Sequence, residues 1–496
     1  MSDFLTAFSL LFTPECLLVV LGGMLVGLIL GAIPGLSGTI AITILMPVTF
    51  KMDPNMAIAM LLAIWVGSTS GGFIGSILLG IPGTPSSVAT CWDGYPMTQN
   101  GEVTRALSAG TLANFIGTVP SVVIAMIACP FIAKYAVKMG PWEYFALGFM
   151  AITMVVGISK GRILKGFIAA AIGLLITCVG YAPTSAVPRF TFDTYYLAGG
   201  FKMMSVFIGI FAGTMIILNY AKSQKGVAGF TGKIGRFSLP LQDIRNNVVN
   251  IIRSFLIGLG IGFLPGMGAV LANVVSYTSA KNSSKHPEAF GKGCVDGVFA
   301  PEVANNACVG GAIIPMISLG IPGDGTTAML LGGLVIHGIE AGPLLQKNEP
   351  VFVYMIFLAC IFAGIVCLLF EIASIRQFPK LLKAPYHYLY PAILIIGILG
   401  VYVSTFNMFD VFACLGFIVL GIWMEYADMP STPFILAYIL GPTLEANFLK
   451  AVSYARGDLA TFFTRPVSCL LLIVAVASVA WGPVKEALSK KKADNA

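Results

Sequence analysis

Residues 54–92 run for 39 positions without a charged side chain, nearly twice the roughly 20 apolar residues that one helix needs to cross a bilayer. Within this run stand Gly67-Ser68-Thr69-Ser70-Gly71-Gly72 and then Gly80-Ile81-Pro82-Gly83-Thr84-Pro85-Ser86-Ser87. Proline removes a backbone donor and clashes with the preceding turn, while glycine frees φ. One continuous helix through Pro82-Gly83 and Pro85 is therefore not expected. In lipid the released N–H and C=O groups must find partners. The expected form is a discontinuous or re-entrant helix, buried in protein or lining a wet cavity.

Charge-free runs also occupy 16–50, 106–133, 166–188, 203–221, 254–280, 303–323, 351–370 and 466–484, with weaker candidates near 144–159, 388–409, 411–424 and 429–444. Together they predict about 12 spans. The runs are continuous and do not alternate polar with apolar, which favours helices over barrel strands. Only 10% of the 496 residues are charged, against about 25% in ordinary soluble domains. A soluble enzyme, a nucleic-acid-binding domain and a disordered regulator are excluded. The fold class is all-α integral membrane.

The net charge of +7 is clustered. Lys222, Lys225, Lys233, Arg236, Arg245 and Arg253 crowd one central segment, with Asp243 the acid among them, and Lys485, Lys490, Lys491 and Lys492 close the chain. Both regions, and the loop with Lys160, Arg162 and Lys165, are expected on the cytoplasmic side, including the C-terminus. Lys134 and Lys138 pull the other way. The ten cysteines stand singly with no CxxC pair, so neither a disulfide frame nor a metal site is indicated. The start lacks a basic n-region, and the first apolar run reads as a retained span.

The central segment, 221–250, divides the chain into an N-terminal transmembrane repeat, 1–220, and a C-terminal one, 251–496, with a basic cytoplasmic linker between them. Gly31-Ala32-Ile33-Pro34-Gly35 returns as Gly262-Phe263-Leu264-Pro265-Gly266, 231 residues later. Leu79-Gly80-Ile81-Pro82-Gly83 returns as Leu319-Gly320-Ile321-Pro322-Gly323, 240 residues later, and Ser86-Ser87 matches Thr326-Thr327. Two matches in the same order point to an internal duplication, the common architecture of secondary transporters. Whether the repeats are parallel or inverted stays open.

Helix breaks at Pro34-Gly35, Pro82-Gly83, Pro265-Gly266 and Pro322-Gly323 would open helix N-termini that attract anionic groups, and free carbonyls that hold a cation. The bland alternative is close packing of small residues. It is the preferred reading for Gly22, Gly23, Gly27 and Gly31, but a packing face does not need Pro beside Gly and hydroxyls twice. Asn305 and Asn306 begin a charge-free run and are candidate buried ligands. Asn273 is a lone candidate that would otherwise bridge helices. Asp324 lies inside the fourth motif. Asp296 and Glu302 fit an interfacial loop as well as a site, and Asp93, Glu102 and Arg105 are expected at the interface. Isolated His286, His337 and His387, with no HExxH, give no zinc protease, and no P-loop is present. An aspartyl protease needs paired carboxylates, and Asp324 has no such mate in the sequence.

Gly31-Ala32-Ile33-Pro34-Gly35-Leu36, Gly80-Ile81-Pro82-Gly83-Thr84-Pro85-Ser86-Ser87 with Asp93-Gly94-Tyr95-Pro96, and Gly320-Ile321-Pro322-Gly323 followed by His337-Gly338 and Gly342-Pro343 resemble the large membrane subunit of tripartite tricarboxylate transporters over roughly residues 17–450. The resemblance implies a permease of the bacterial inner membrane that works with a small membrane subunit of about four helices and a periplasmic solute-binding protein. It implies import of organic carboxylates such as citrate by symport with a cation, commonly sodium, and no enzyme activity or covalent cofactor.

On the physical argument, substrate carboxylates are expected at Ser86, Ser87, Asn305, Asn306, Thr326 and Thr327. The coupling ion, Na+ or H+, is expected at Gly35, Ser37, Thr84, Gly266, Asn273 and Asp324. The alternatives are a channel without ion coupling and an intramembrane enzyme. The carboxylate itself cannot be read from the sequence.

Overall fold

The computed structural model describes residues 2–158, 162–222, 232–382 and 386–493. Lys160 and Lys225 of the basic segments lie outside the described residues, as do the side chains of Lys485, Lys490, Lys491 and Lys492. Among the described residues ten helices are long and apolar enough to cross a membrane, and six shorter apolar helices accompany them. In chain order the principal helices are α1 (Ser2–Leu11), α2 (Pro14–Ala32), α3 (Gly38–Leu45), α4 (Pro54–Leu79), α5 (Thr90–Gln99), α6 (Val103–Ala136), α7 (Pro141–Ile158) and α8 (Ile163–Thr177). After a further candidate span, Met203–Ala221, come α9 (Leu241–Phe263), α10 (Gly268–Ser283), α11 (Asp296–Leu319), α12 (Gly325–Ile336), α13 (Pro350–Ser374), α14 (Tyr386–Thr405), α15 (Met408–Tyr426), α16 (Ser431–Tyr454) and α17 (Pro466–Ala493).

The long charge-free run folds as a helix, a break and a second helix. Asp53 caps α4 by accepting the Asn55 N–H at 2.9 Å, and Pro54 occupies the first turn, where no N–H is needed. The helix stops at Gly80, whose φ of +67° is open to glycine at little cost. Residues Pro85–Ser87 form a short 3₁₀ turn before α5 begins. The repeat partner α11 stops in the same way at Gly320, with φ +71°.

Helices α2 and α9 end alike too. Ile33 leaves α2 at φ −82°, ψ 118°, and Leu264 leaves α9 at φ −82°, ψ 122°. Gly35 and Gly266 follow with φ +88° and +81°.

Packing repeats with the backbone. A Cβ on Gly27 or Gly31 would strike the carbonyl of Ile64 or Ser68 in α4. A Cβ on Gly258 or Gly262 would strike the carbonyl of Ala304 or Cys308 in α11. These pairs are related by the same shifts of 231 and 240 residues that the motifs show. Small residues thus let the two helices of each pair approach backbone to backbone, where dispersion and not solvent exclusion holds helices together in lipid. Gly22, expected in that face, departs from it: it meets open space.

The chain forms two compact units, Met1–Ala133 with Met215–Ser404, and Lys134–Thr214 with Thr405–Ala496. Each therefore draws on both halves of the sequence. Helix α9 opens at Leu241, so residues 241–250, read above as linker, are helical. The segment just before it, 232–240, is tied down. Gly235 and Ser238 donate their N–H groups to the hydroxyls of Thr104 and Ser108, at 2.9 and 3.0 Å, and Asp243 takes two bonds from Arg105 at 2.7 and 2.8 Å.

In the second unit α7 packs on α8, α16 and α17. A two-stranded hairpin, Gly180–Tyr181 with Pro188–Arg189, places Arg189 on Glu445 in a bidentate ion pair of 2.6 and 3.0 Å. Glu143 accepts the Gly140 N–H and pairs with Arg465, whose guanidinium lies 4.5 Å from the centre of the Trp142 ring.

Candidate functional site

All four Pro-Gly pairs lie between helices, in the first compact unit. The freed backbone groups are partly satisfied from within. The Gly35 carbonyl accepts from Asn219 Nδ2 at 2.6 Å, and Gly266 donates its N–H to the Gly323 carbonyl, also at 2.6 Å. The third and fourth breaks thus join backbone to backbone. Gly83 donates to the Gly72 carbonyl at 3.2 Å.

Two N-termini meet. Ser37 caps α3, accepting the Ile40 N–H at 3.4 Å, and Asp324 caps α12. Thr39 and Thr326, in the first turns of these helices, touch through their hydroxyls at 2.9 Å, although 287 residues separate them. First-turn N–H groups have no partner within their own helix; Ser37 and Asp324 cap those of Ile40 and Thr327, and two positive dipole ends come together. Ser37, Thr39, Gly325 and Thr326 are all partly accessible. Thr39 was not singled out from the sequence, because no local motif distinguishes it.

Asp324 and Thr327 form a capping box. Asp324 Oδ1 accepts the Thr327 N–H at 2.8 Å, and the Asp324 N–H donates to Thr327 Oγ1 at 2.8 Å. Both groups expected at the solute or ion are thus engaged in helix capping. Asn273 Oδ1 is similarly taken by the Ala89 N–H at 2.8 Å, so it bridges α10 to the turn before α5. At the second break, Thr84 Oγ1 lies 3.1 Å from Ser86 Oγ and 3.2 Å from Ser87 Oγ. Ser87 is buried while Ser86 stays partly accessible, so Ser86 is the hydroxyl presented there.

Deeper in the unit lies a polar seam between α4, α5, α6, α11 and α13. Asn306 is saturated: Oδ1 accepts Ser70 and Thr118 at 3.2 and 3.1 Å, and Nδ2 donates to Asn114 at 2.8 Å and to the Glu302 carbonyl at 3.1 Å. That pattern locks α4, α6 and α11 together and leaves nothing for a solute, contrary to the expectation for Asn306. Asn305 differs. Its Nδ2 stands 3.5 Å from both the Thr69 carbonyl and Glu302 Oε2, and its Oδ1 has no partner. Glu302, which the sequence allowed at an interface, is 0% exposed in α11 and accepts Thr90 Oγ1 at 2.5 Å. Glu371 of α13, which the sequence reading missed at the end of a charge-free run, is also 0% exposed, with Asn114 Nδ2 3.4 Å away.

Asp93, expected at the interface, is buried too. It accepts the N–H groups of Gly291, Gly293 and Cys294 at 2.9 Å each and the Tyr277 hydroxyl at 2.8 Å. It clasps the loop between α10 and α11. Among the described residues no group of three or more His, Cys, Asp or Glu side chains is placed to hold a metal.

A family model described as the tripartite tricarboxylate transporter TctA family matches residues 17–436. The chain belongs to that family. An uncharacterized 52.8 kDa protein from the region 3′ of ttuC′ in TAR-I of Agrobacterium vitis is 33% identical over 478 residues, 96% of this chain and 95% of that one. A second Agrobacterium vitis protein, from the corresponding region of TAR-II, is 35% identical over 212 residues, 43% of this chain and 88% of that one. No solved structure matches the chain. As a TctA-family protein it is a multi-pass membrane component of a tripartite tricarboxylate transporter. The match spans all four helix breaks, the meeting of Thr39 with Thr326 and the Glu302 seam.

Proposed function

We propose that this subunit is the permease of a bacterial inner-membrane carrier that imports organic carboxylates, tricarboxylates or related acids, together with a cation. Its partners would be a small membrane subunit and a periplasmic solute-binding protein that delivers the acid. The observation that carries the reading is the convergence of α3 and α12 at Thr39 and Thr326. The positive dipole ends of two helices meeting at one place suit a carboxylate better than any neutral solute. One of the two hydroxyls in contact donates to the other, which leaves one free O–H for a carboxylate oxygen. Ser86, partly accessible at the related break, supplies a further hydroxyl. Helices that stop inside the apolar region favour an occluded site reached alternately from each side over an open pore.

The test is uptake of radiolabelled citrate by proteoliposomes holding the complete transporter. Thr326→Val removes one donor to a charged group and should raise the KM by roughly tenfold at unchanged membrane abundance. Unchanged uptake would remove α12 from the solute site. Flux that rises linearly with concentration, without dependence on an ion gradient, would replace the carrier with a channel.

A further inference from the structure

The Glu302 carboxylate poses a problem that the solute site does not answer. It is fully buried in a membrane-spanning helix, and among the described residues no ion pair reaches it. An isolated carboxylate is expensive at such depth, and ionisable groups kept there usually work on ions. Thr90 donates its hydroxyl to Glu302 Oε1, and the Asn305 amide nitrogen lies 3.5 Å from Oε2 and from the Thr69 carbonyl.

We propose that Glu302, Asn305, Thr90 and the Thr69 carbonyl form a binding site for one monovalent cation of sodium's size, held between α4, α5 and α11. Three observations carry it. The first is the orphan: Asn305, one helical turn from Glu302, is 0% exposed and its Oδ1 finds no donor. The second is spacing. Asn305 Nδ2 lies 3.5 Å from each of Glu302 Oε2 and Thr69 O, too long for good N–H···O bonds. Turning the amide over would put Oδ1 at the Nδ2 position; oxygens that share one ion at about 2.4 Å stand about 3.4 Å apart, so the 3.5 Å gaps would then suit a ligand shell. The third is charge. One carboxylate among neutral oxygens is neutralised by a single positive charge, whereas a divalent ion would leave an excess charge in an apolar interior.

Glu371, a second fully buried glutamate, is set differently. It faces the donors Asn114 Nδ2, 3.4 Å away, and Cys367 Sγ, 3.6 Å away, and its unpartnered atom is its own Oε2 and not a neighbouring amide oxygen. The proposed site also departs from the positions expected from the sequence, since the Gly35 carbonyl, the Gly266 N–H, Asn273 Oδ1 and Asp324 Oδ1 are engaged by the protein itself. Its role in coupling rests on the transport reading above; the binding of the ion does not.

The experiment is equilibrium binding of 22Na+ to the purified full-length chain in nanodiscs, without any carboxylate solute. Wild type should bind saturably. Glu302→Gln should weaken binding by more than tenfold and Asn305→Ala by about tenfold, since each removes a ligand to a charge. Thr90→Val should show a smaller loss. If Glu302→Gln does not fold, Asn305→Ala and Thr90→Val carry the test. Wild-type affinity in the folded variants, absence of saturable sodium binding in wild type, or a loss that follows Glu371→Gln instead would overturn the assignment. Thr326→Val separates the two readings. Retained 22Na+ binding with impaired uptake supports both. Lost sodium binding in Glu302→Gln, with normal uptake by Thr326→Val, leaves the cation site standing and removes the solute site.

Discussion

The two halves of the chain share a backbone and differ in chemistry. Gly80 and Gly320 end their helices at φ +67° and +71°, and the turns after α2 and α9 superpose in dihedral angles. Yet the counterparts of Glu302, Asn305 and Asn306, 240 residues earlier, are Leu62, Trp65 and Val66. Conversely, Ser68, Thr69 and Ser70 of α4 face forward in sequence to Cys308, Val309 and Gly310. Duplication has preserved the glycines that set helix approach and the Pro-Gly pairs that end helices. It has divided the polar work: α11 brings the acid and amides, and α4 brings hydroxyls and carbonyls. A symmetric backbone here does not mean two equivalent sites.

Three pairs of substitutions test that contrast. The shared feature should break alike in both halves. Gly31→Leu and Gly262→Leu each force a side chain into a facing carbonyl and should cost about 3 kcal/mol or more, seen as lost melting stability or membrane abundance. Gly22→Ala, which meets open space, serves as the control and should shift stability by less than about 0.5 kcal/mol. A strong effect in one half alone would show that the halves do not bear load equally.

The divergent feature should be asymmetric. Leu62→Glu places an unpaired acid at a site 1% exposed and should destabilise by about 3 kcal/mol, read as a lower melting temperature in detergent. Glu302→Gln should leave the fold within about 1 kcal/mol of wild type, because the lost bond is offset by removal of a buried charge. Equal losses would mean that both positions are merely packed core.

The smallest expected difference lies at the caps. Asp324→Ala dissolves the capping box of α12 and should cost about 1 kcal/mol, whereas its counterpart Thr84→Ala loses only hydroxyl contacts and should cost about 0.5 kcal/mol. Melting curves compared at one detergent concentration measure the difference.

How much of this was legible beforehand varies by residue. The breaks were readable because Pro beside Gly acts locally, through a missing donor and a freed φ. Proline alone was not decisive: Pro120, Pro130, Pro301 and Pro315 all lie inside helices. Asp93 and Glu302 were harder. Sequence places both near the ends of apolar runs, where an interfacial loop is a natural home. Only the helix boundaries and the loop folded over Asp93 put them in the interior. Thr327 and Asn306 were legible as polar residues in the right places but not as spent ones, since their partners lie in capping geometry and on other helices.

The sequence by itself determined that this chain lives in a membrane as helices, that it repeats, and where four of those helices stop. These properties follow from runs of apolar side chains and from the stereochemistry of single residues. Tertiary structure decided which ends meet and which polar groups remain unspent. Thr39 and Thr326 are 287 positions apart, and Thr90 and Glu302 are 212 apart. No local rule couples such distant residues; the approach of backbones across glycine faces and the register of one helix on another bring them together.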